Sequence, residues 1–358
     1  MQRTFIIQHA TTMRKWLFLL FPLILFTGVL SAQEQTLLQD KPGTFILQKE
    51  ALNGQGPDLY GKMCACTNAE SDAMLGKLEV LVQQFRKTPV LADIKGFDGV
   101  CRLYGGRCNS KYGYAVPVDI KFWFKSWTLY KGKEIQWVNE PPQWIIEVNQ
   151  PDKFRDNGFN VSDYSNTSDP TNPAFSEKAQ SEASRALNEL FYVPGVREAI
   201  SPGIDRYGEY VVIYNPERPP YWEQVTVREA FRLLFDYYKC MPDKAGVDAI
   251  LPILNREFEG FSEDEKDSYA YFGDSESISR VGSKKNYTPV VRPNPEYWNR
   301  ALPEASVQLI VLEMPYPEAV RGKMERCLKN DDGYYYVYKL MNELNLGDLS
   351  NMIDRQDK

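Results

Sequence analysis

The sequence predicts an α+β protein in which an N-terminal helix packs on an antiparallel sheet, followed by a larger, mostly α-helical domain with a few short strands. Apolar residues recur at helical spacing between residues 70 and 85, and they alternate with polar residues from residue 118 onward. Helical spacing returns after residue 176 and dominates the rest of the chain. The predicted units are an α+β domain at 33–155, a polar linker or long loop at 156–175, and a mainly helical domain at 176–358.

The first segment, residues 1–32, has the pattern of a cleaved signal peptide. A basic pair at 14–15 precedes an apolar run at 16–26 that one proline interrupts, and small residues at 31–32 suit a cleavage site. Met13 is the expected true start. The alternative is an uncleaved membrane anchor, but the run is shorter than the roughly 20 apolar residues that span a bilayer. We therefore expect a secreted or periplasmic protein.

Cleavage at this site changes both the charge and the available chemistry of the chain. It removes the only histidine, His9, and three of the 42 basic side chains but none of the 48 acidic ones, which leaves a net charge near −9. Without histidine, Ser-His-Asp triads, Cys-His pairs and histidine zinc motifs are excluded. The acidic balance argues against nucleic acid and anionic membranes as partners. No cofactor or metal is expected, since no phosphate-binding or EF-hand motif is complete.

Six cysteines follow the cleavage site, and an even number in an exported chain predicts disulfides. Cys64 and Cys66 are too close to bond each other, so each is expected to reach toward Cys101 or Cys108. A local Cys101–Cys108 bond is the competing arrangement. The last two cysteines, Cys240 and Cys327, are expected to pair, and a four-cysteine zinc site is disfavoured because the C-x-x-C spacing is absent.

The elements of the first domain are indicated by their periodicity. A capping-box pattern at 67–70 begins a helix that Pro89 ends. The strand that starts near Val118 loses its alternation at Ser126, which predicts a β-bulge there. Two further strands are expected at Glu134–Val138 and Gln143–Val148.

The second half of the chain has mostly helical patterns. A helix is expected to start at Ser176, two more are expected after the capping-box patterns that open at Thr226 and Ser262, and a last helix is expected at Tyr334–Leu346. Only two apolar runs suggest strands, Tyr210–Tyr214 and Val307–Leu312.

Carboxylates offer the only catalytic hypothesis that survives the loss of histidine. Glycoside cleavage needs two Asp or Glu side chains, and Glu257, Glu259, Asp274 and Glu276 lie near aromatic residues that can stack on sugars. The favoured interpretation is that they are ordinary solvated acids of helix ends and loops.

Aromatic residues offer the binding hypotheses. Trp222, Tyr297 and Trp298 follow proline turns, so they are binding candidates or plugs that anchor those loops. Trp123 and Trp127 would form a platform for a glycan or a protein if they shared an exposed face, but packing between helix and sheet is favoured.

The sequence thus predicts an exported, non-catalytic binding or cell-envelope-associated protein with a glycan or protein partner and no membrane span after cleavage. The alternative is a carboxylate-dependent hydrolase acting on saccharides.

Overall fold

The computed structural model describes residues 35–50, 68–105, 114–150, 154, 157–164, 166–193, 195–273, 277–283 and 288–355. The predicted signal peptide, with His9, lies outside the described residues, as do Cys64, Cys66, Cys108, Asp274 and Glu276.

The described residues form fifteen strands, nine helices and a short 3₁₀ turn at Pro295–Tyr297. The strands are β1 (Thr36–Leu37), β2 (Phe45–Glu50), β3 (Phe97–Gly105), β4 (Val118–Tyr130), β5 (Lys133–Gln136), β6 (Gln143–Val148), β7 (Phe191–Tyr192), β8 (Arg197–Ser201), β9 (Ile204–Tyr207), β10 (Tyr210–Tyr214), β11 (Trp222–Gln224), β12 (Tyr271–Phe272), β13 (Val281–Gly282), β14 (Thr288–Pro293) and β15 (Leu309–Glu313). The helices are α1 (Asn68–Phe85), α2 (Pro89–Ala92), α3 (Glu177–Asn188), α4 (Val227–Lys239), α5 (Lys244–Glu259), α6 (Glu263–Lys266), α7 (Pro317–Lys329), α8 (Tyr334–Glu343) and α9 (Leu346–Ser350).

Most strands belong to one large sheet that joins the two ends of the chain. Within the described part its order is β2-β3-β4-β6-β15-β10-β9-β8, and β1 and β5 pair with the far end of β4. All pairs are antiparallel except β2 with β3. The late strand β15 lies between β6 and β10, with Ile310 opposite Val148 on one side and opposite Ile213 on the other.

One face of the large sheet carries the main core. Helices α1 and α2 cover it at the N-terminal end of the chain, and α7, α8 and α9 return to it from the C-terminal end. Phe85 of α1 contacts Phe122 of β4 and Trp144 of β6, with ring centroids 5.1 and 6.2 Å apart. Buried aromatic rings of this size contribute strongly to stability because each removes a large apolar area from water.

The opposite face of β9, β10 and β15 packs on a second, five-stranded sheet, which is ordered β11-β14-β12-β13 with β7 beside β14. Alternation along β14 shows the layering, because Val291 faces the large sheet and Val290 faces the core formed by α3, α4 and α5. The described residues therefore form four layers: a layer of helices, the large sheet, the small sheet, and a second layer of helices.

The predicted fold class is wrong, because the helices of the second half do not form one larger domain. They are divided between the two outer layers, and the strands between them build parts of both sheets. The error has a physical cause: these strands are two to six residues long, and the central ones are buried on both faces. Such strands lack the polar-apolar alternation that identifies a half-exposed strand.

The segment predicted as a linker, 156–175, makes specific hydrogen bonds in its described part. Asn172 donates from its side chain to the carbonyl oxygens of Lys239 (3.0 Å) and Met241 (2.7 Å). The backbone N–H of Tyr164 donates to Gln180 at 2.8 Å. Strands from both sides of the segment share the large sheet, and the proposed domain boundary stays a prediction.

Strand β4 runs for 13 residues without the predicted bulge. The inward-facing positions continue through Ser126 and Thr128, so polar residues take places that Phe122 and Phe124 fill earlier in the strand. The loss of alternation in the sequence reflects a change of residue type on one face and not a change of register.

The register of β4 also corrects the interpretation of two tryptophans. Trp123 and Trp127 both lie on the face opposite the main core and are half-buried. Arg102 covers the Trp123 ring, and Lys41 lies 4.1 Å from the centroid of the Trp127 ring. The tryptophan that packs between helix and sheet is Trp144, which is 3% exposed.

The three described cysteines, Cys101, Cys240 and Cys327, carry free thiols. The expected Cys240–Cys327 bond is therefore not formed in this structure: Cys240 follows α4 in the helical layer beside the small sheet, whereas Cys327 lies in α7 on the large sheet. Burial raises the pKa of all three thiols, most strongly for Cys101 inside the main core.

Among the helices that the structure describes, none is both long and apolar enough to cross a membrane.

Candidate functional site

A cavity of about 280 Å³ opens where the far end of β4 meets the connection between α7 and α8. Three chain segments form its walls: β4, the stretch that follows β5, and the α7–α8 connection, with the start of β1 at the rim. It is lined by Gln35, Ser126, Thr128, Trp137, Glu140, Pro142, Asp331, Asp332, Gly333 and Tyr334. We call it the β4 pocket.

Two hydroxyl groups of β4 lie at the base of the β4 pocket. Thr128 accepts a hydrogen bond from the Gln35 side chain at 3.5 Å. The Ser126 side chain is 2% exposed, and its Oγ has no hydrogen-bond partner among the described residues. A buried hydroxyl without a partner costs roughly 1–3 kcal/mol, and a ligand group that reached this atom through a small shift of the α7–α8 connection would remove that cost.

The α7–α8 connection can approach Ser126 only because residue 333 is glycine. A Cβ atom on Gly333 would lie 2.2 Å from Ser126 Oγ, well inside van der Waals contact. Any larger residue would therefore displace the connection or the serine, and with it the acidic wall of the pocket.

That acidic wall consists of Asp331 and Asp332. Asp331 accepts the backbone N–H of Leu37 on Oδ1 (3.3 Å), which leaves its Oδ2 without a bond to any described residue. Asp332 accepts the backbone N–H of Tyr334 (2.9 Å) and lies 3.8 Å from the Cys327 sulfur. Burial, followed by the negative charge of Asp332, raises the pKa of Cys327 to about 11, so this thiol is protonated at neutral pH.

Glu140 supplies the third carboxylate, on the stretch after β5. It is exposed and makes no hydrogen bond or ion pair with another described residue. Its φ angle is +45°, in the left-handed region where side chains other than glycine, asparagine and aspartate are rare. Asp331 has a similar φ of +53°. Glu140 is therefore held in strained backbone, which is common at functional sites.

Two aromatic rings stand at the mouth of the β4 pocket. Trp137 is 45% exposed and Tyr334 is 43% exposed, whereas most other tryptophans and tyrosines of the described chain are at least half-buried. The backbone N–H of Trp137 donates to the Ser126 carbonyl at 2.9 Å. This hydrogen bond holds residue 137 beside β4, the strand that carries the Ser126 hydroxyl. Exposed rings beside polar groups are typical of sites that bind ligands.

The pocket is electrostatically one-sided. Three of its lining residues are acidic, and no lysine, arginine or histidine is among them. The described carboxylate, cysteine and histidine side chains nevertheless form no group of three that could hold a metal ion.

The acids singled out in the sequence do not meet in this pocket. Glu257 lies at the end of α5 and accepts the backbone N–H groups of Ile278 (2.9 Å) and Ser279 (3.0 Å), so its carboxylate fixes a turn. Glu259 is exposed at the same helix end. Of the four predicted acids, these are the two that lie in the described part of the chain.

The aromatic binding candidates lie in the core between the two sheets. Tyr297 is 1% exposed and Trp298 is 4% exposed, and Tyr297 donates to the carbonyl oxygen of Gln308. Trp222 is half-buried, with its ring centroid 4.2 Å from that of Tyr221. These side chains pack into the core next to their proline turns. This environment suits the second of the two roles considered for them, which is to anchor those loops.

No sequence motif identifies the residues of the β4 pocket, although one feature of the sequence points to them. The loss of alternation at Ser126 marks the place where β4 stops filling the core and begins to line a cavity. Asp331, Asp332 and Gly333 lie about two hundred residues away in sequence, and only the fold brings them together with β4.

In comparisons with known proteins, no family model, no curated protein and no solved structure matches this chain.

Proposed function

We propose that the protein is an exported, non-catalytic binding protein whose ligand site is the β4 pocket. The observation that carries the proposal is that two exposed rings, three carboxylates and the unpartnered Ser126 hydroxyl line the same cavity. Apolar surface with a few convergent polar groups is what small-ligand sites share. Export rests on the sequence pattern at 1–32 and stays a prediction.

The alternative is a hydrolase that acts on saccharides through paired carboxylates. The three acids of the β4 pocket favour it more than the acids predicted from sequence, since they share a cavity with aromatic rings. A general acid of this type needs a dry environment that keeps it protonated. Glu140 and Asp332 are exposed, and this favours binding over catalysis.

Tryptophan fluorescence provides the test, because Trp137 stands at the pocket mouth. Purified protein is titrated separately with n-butylammonium, glucosamine, N-acetylglucosamine and cellobiose. We expect at least one of them to change the emission with a Kd of about 1 mM or tighter. Trp137→Ala should abolish the change, whereas Trp123→Ala, which alters a tryptophan on the outer sheet face, should leave it intact.

Binding alone does not separate the two functions, so the recovered ligands are examined by mass spectrometry after prolonged incubation. Unchanged ligand supports a binding protein. Cleavage of cellobiose that is lost in Glu140→Gln or Asp332→Asn overturns the proposal in favour of the hydrolase. If none of the four probes gives a signal that depends on Trp137, the β4 pocket is not the binding site.

A further inference from the structure

We infer that the ligand of the β4 pocket carries a primary ammonium group on a short apolar or sugar stem. This inference rests on the proposed function, because it assigns the chemistry of the ligand at the same site. Its evidence is the set of charges, free hydrogen-bond acceptors and ring surfaces around the cavity.

Charge selects a cation. Glu140, Asp331 and Asp332 give the lining a formal charge of −3 without a basic lining residue to offset it. An anionic ligand would be repelled at close range in a partly desolvated cavity, and a neutral one would leave the carboxylates uncompensated. A bare metal ion does not fit, since the described acids form no group of three that could hold one.

The free acceptors then select a primary ammonium among cations. A protonated primary amine has three N–H donors and no acceptor. The pocket offers three kinds of acceptor that no described residue uses: Ser126 Oγ, Asp331 Oδ2 and the Glu140 carboxylate. A quaternary ammonium ion has no N–H group, so it would leave the buried Ser126 hydroxyl without a partner.

The aromatic rings and the volume limit the rest of the ligand. Trp137 and Tyr334 can cover an apolar stem or one face of a sugar ring, and they favour a positive charge nearby through cation–π attraction. A volume of about 280 Å³ lies at the lower end of the range of small-molecule pockets, so the bound portion is small. An amino sugar and an aminoalkyl group both meet these limits.

Calorimetric titration with two matched pairs of probes tests the inference. n-Butylammonium is compared with n-butanol, and glucosamine with N-acetylglucosamine, so that each pair differs mainly in the ammonium group. We expect the charged member of each pair to bind at least about tenfold more tightly, because hydrogen bonds from a charged donor to a carboxylate are stronger than those from a neutral donor. Tetramethylammonium should bind more weakly than n-butylammonium.

Two variants locate the effect within the pocket. Glu140→Gln should weaken n-butylammonium binding about tenfold. Glu134→Gln removes the same charge from a residue that pairs with Lys41 outside the lining, and it should change binding little. Ser126→Ala should fold at least as stably as the wild type, because it removes an unpartnered buried hydroxyl, and yet bind the amine more weakly.

The outcomes separate this inference from the function on which it rests. If a neutral probe binds as tightly as its charged partner through Trp137, the β4 pocket is a binding site and the ammonium assignment is wrong. Equal effects of Glu140→Gln and Glu134→Gln would also overturn the assignment, since only general charge would matter. If no probe binds, the proposed function itself fails.

Discussion

At the scale of single residues, Glu140 combines a strained backbone with a side chain that makes no hydrogen bond or ion pair with another described residue. Glycine adopts a φ of +45° without steric cost, whereas other residues lose about 1 kcal/mol there. We therefore expect Glu140→Gly to leave stability unchanged or raise it by up to about 1 kcal/mol, while amine binding is lost. Urea unfolding and calorimetric titration of the same preparation measure both quantities.

Lys131 is the matched control for Glu140. It has a φ of +52° in the turn between β4 and β5 and lies outside the pocket lining. Lys131→Gly should relieve similar strain without affecting binding. A clear loss of stability in Glu140→Gly would show that the glutamate is held for structural reasons, and the functional interpretation of its strain would fail.

Ser126 shows how far single residues can be interpreted without the fold. The sequence marks it by a break in alternation, but a bulge and a change of surroundings give the same break. Only the register of β4 against β3, with Ser126 opposite Phe97, shows that the strand continues in phase. Glu140 and Asp331 have no mark in the sequence, because the left-handed backbone at these residues depends on the connections that the fold imposes.

At the scale of elements, Asn149 joins the end of β6 to the start of β15. Its side-chain amide is fully buried, donates to the carbonyl oxygens of Val116 and Ser306 (both 2.8 Å), and accepts from the backbone N–H groups of Gln308 and Leu309. Its φ of +58° suits asparagine better than most residues.

We expect Asn149→Asp to destabilise the protein by about 3–4 kcal/mol. The carboxylate would lose both donors and face two carbonyl oxygens in a buried site. Asn160→Asp is the control, since Asn160 also has a left-handed φ of +48° but is exposed; it should change stability by less than about 0.5 kcal/mol. Chemical denaturation of both variants measures the free energy of unfolding. Similar losses of stability in the two variants would show that the Asn149 side chain does not hold β15 in place.

Elements with local determinants were predicted better than those without. Thr226 caps α4 by accepting the N–H of Glu229, and Ser262 and Glu265 form a full capping box, as their spacing predicts. The apolar runs at β10 and β15 were also recognised as strands. The short strands β7, β11, β12 and β13 have no such local mark, because sheet partners distant in the chain determine them.

At the scale of the whole molecule, buried tyrosines link stability to alkaline pH. Burial is the largest cause that raises the pKa of Tyr207, Tyr221, Tyr237, Tyr297 and Tyr336 above the usual value near 10. A raised pKa in the folded state means that the unfolded chain loses these protons first. The stabilisation is therefore complete below about pH 10 and decreases as pH rises above it.

We expect the urea midpoint to fall steadily above about pH 10. Tyr237→Phe should make this decrease shallower by removing one buried phenol, whereas Tyr269→Phe, at a tyrosine that is 54% exposed, should not. A midpoint that is independent of pH in this range would contradict the burial of these hydroxyl groups.

Topology was the part of the fold that the sequence could not supply. Two regions of different periodicity suggested two separate units, and the insertion of a five-residue strand from near the C-terminus into the first of them has no local cause. The β4 pocket was unpredictable for the same reason, since its walls come from residues that only this topology brings together.

The position of β15 has a consequence for the order of folding during synthesis. Among the described strands, β15 alone connects β6 and β10 in the sheet, so each of the two has an unpaired edge until residue 313 has left the ribosome. The nascent chain therefore cannot complete the large sheet by adding strands in order of synthesis. A truncation that removes β15 should therefore leave two open, aggregation-prone edges.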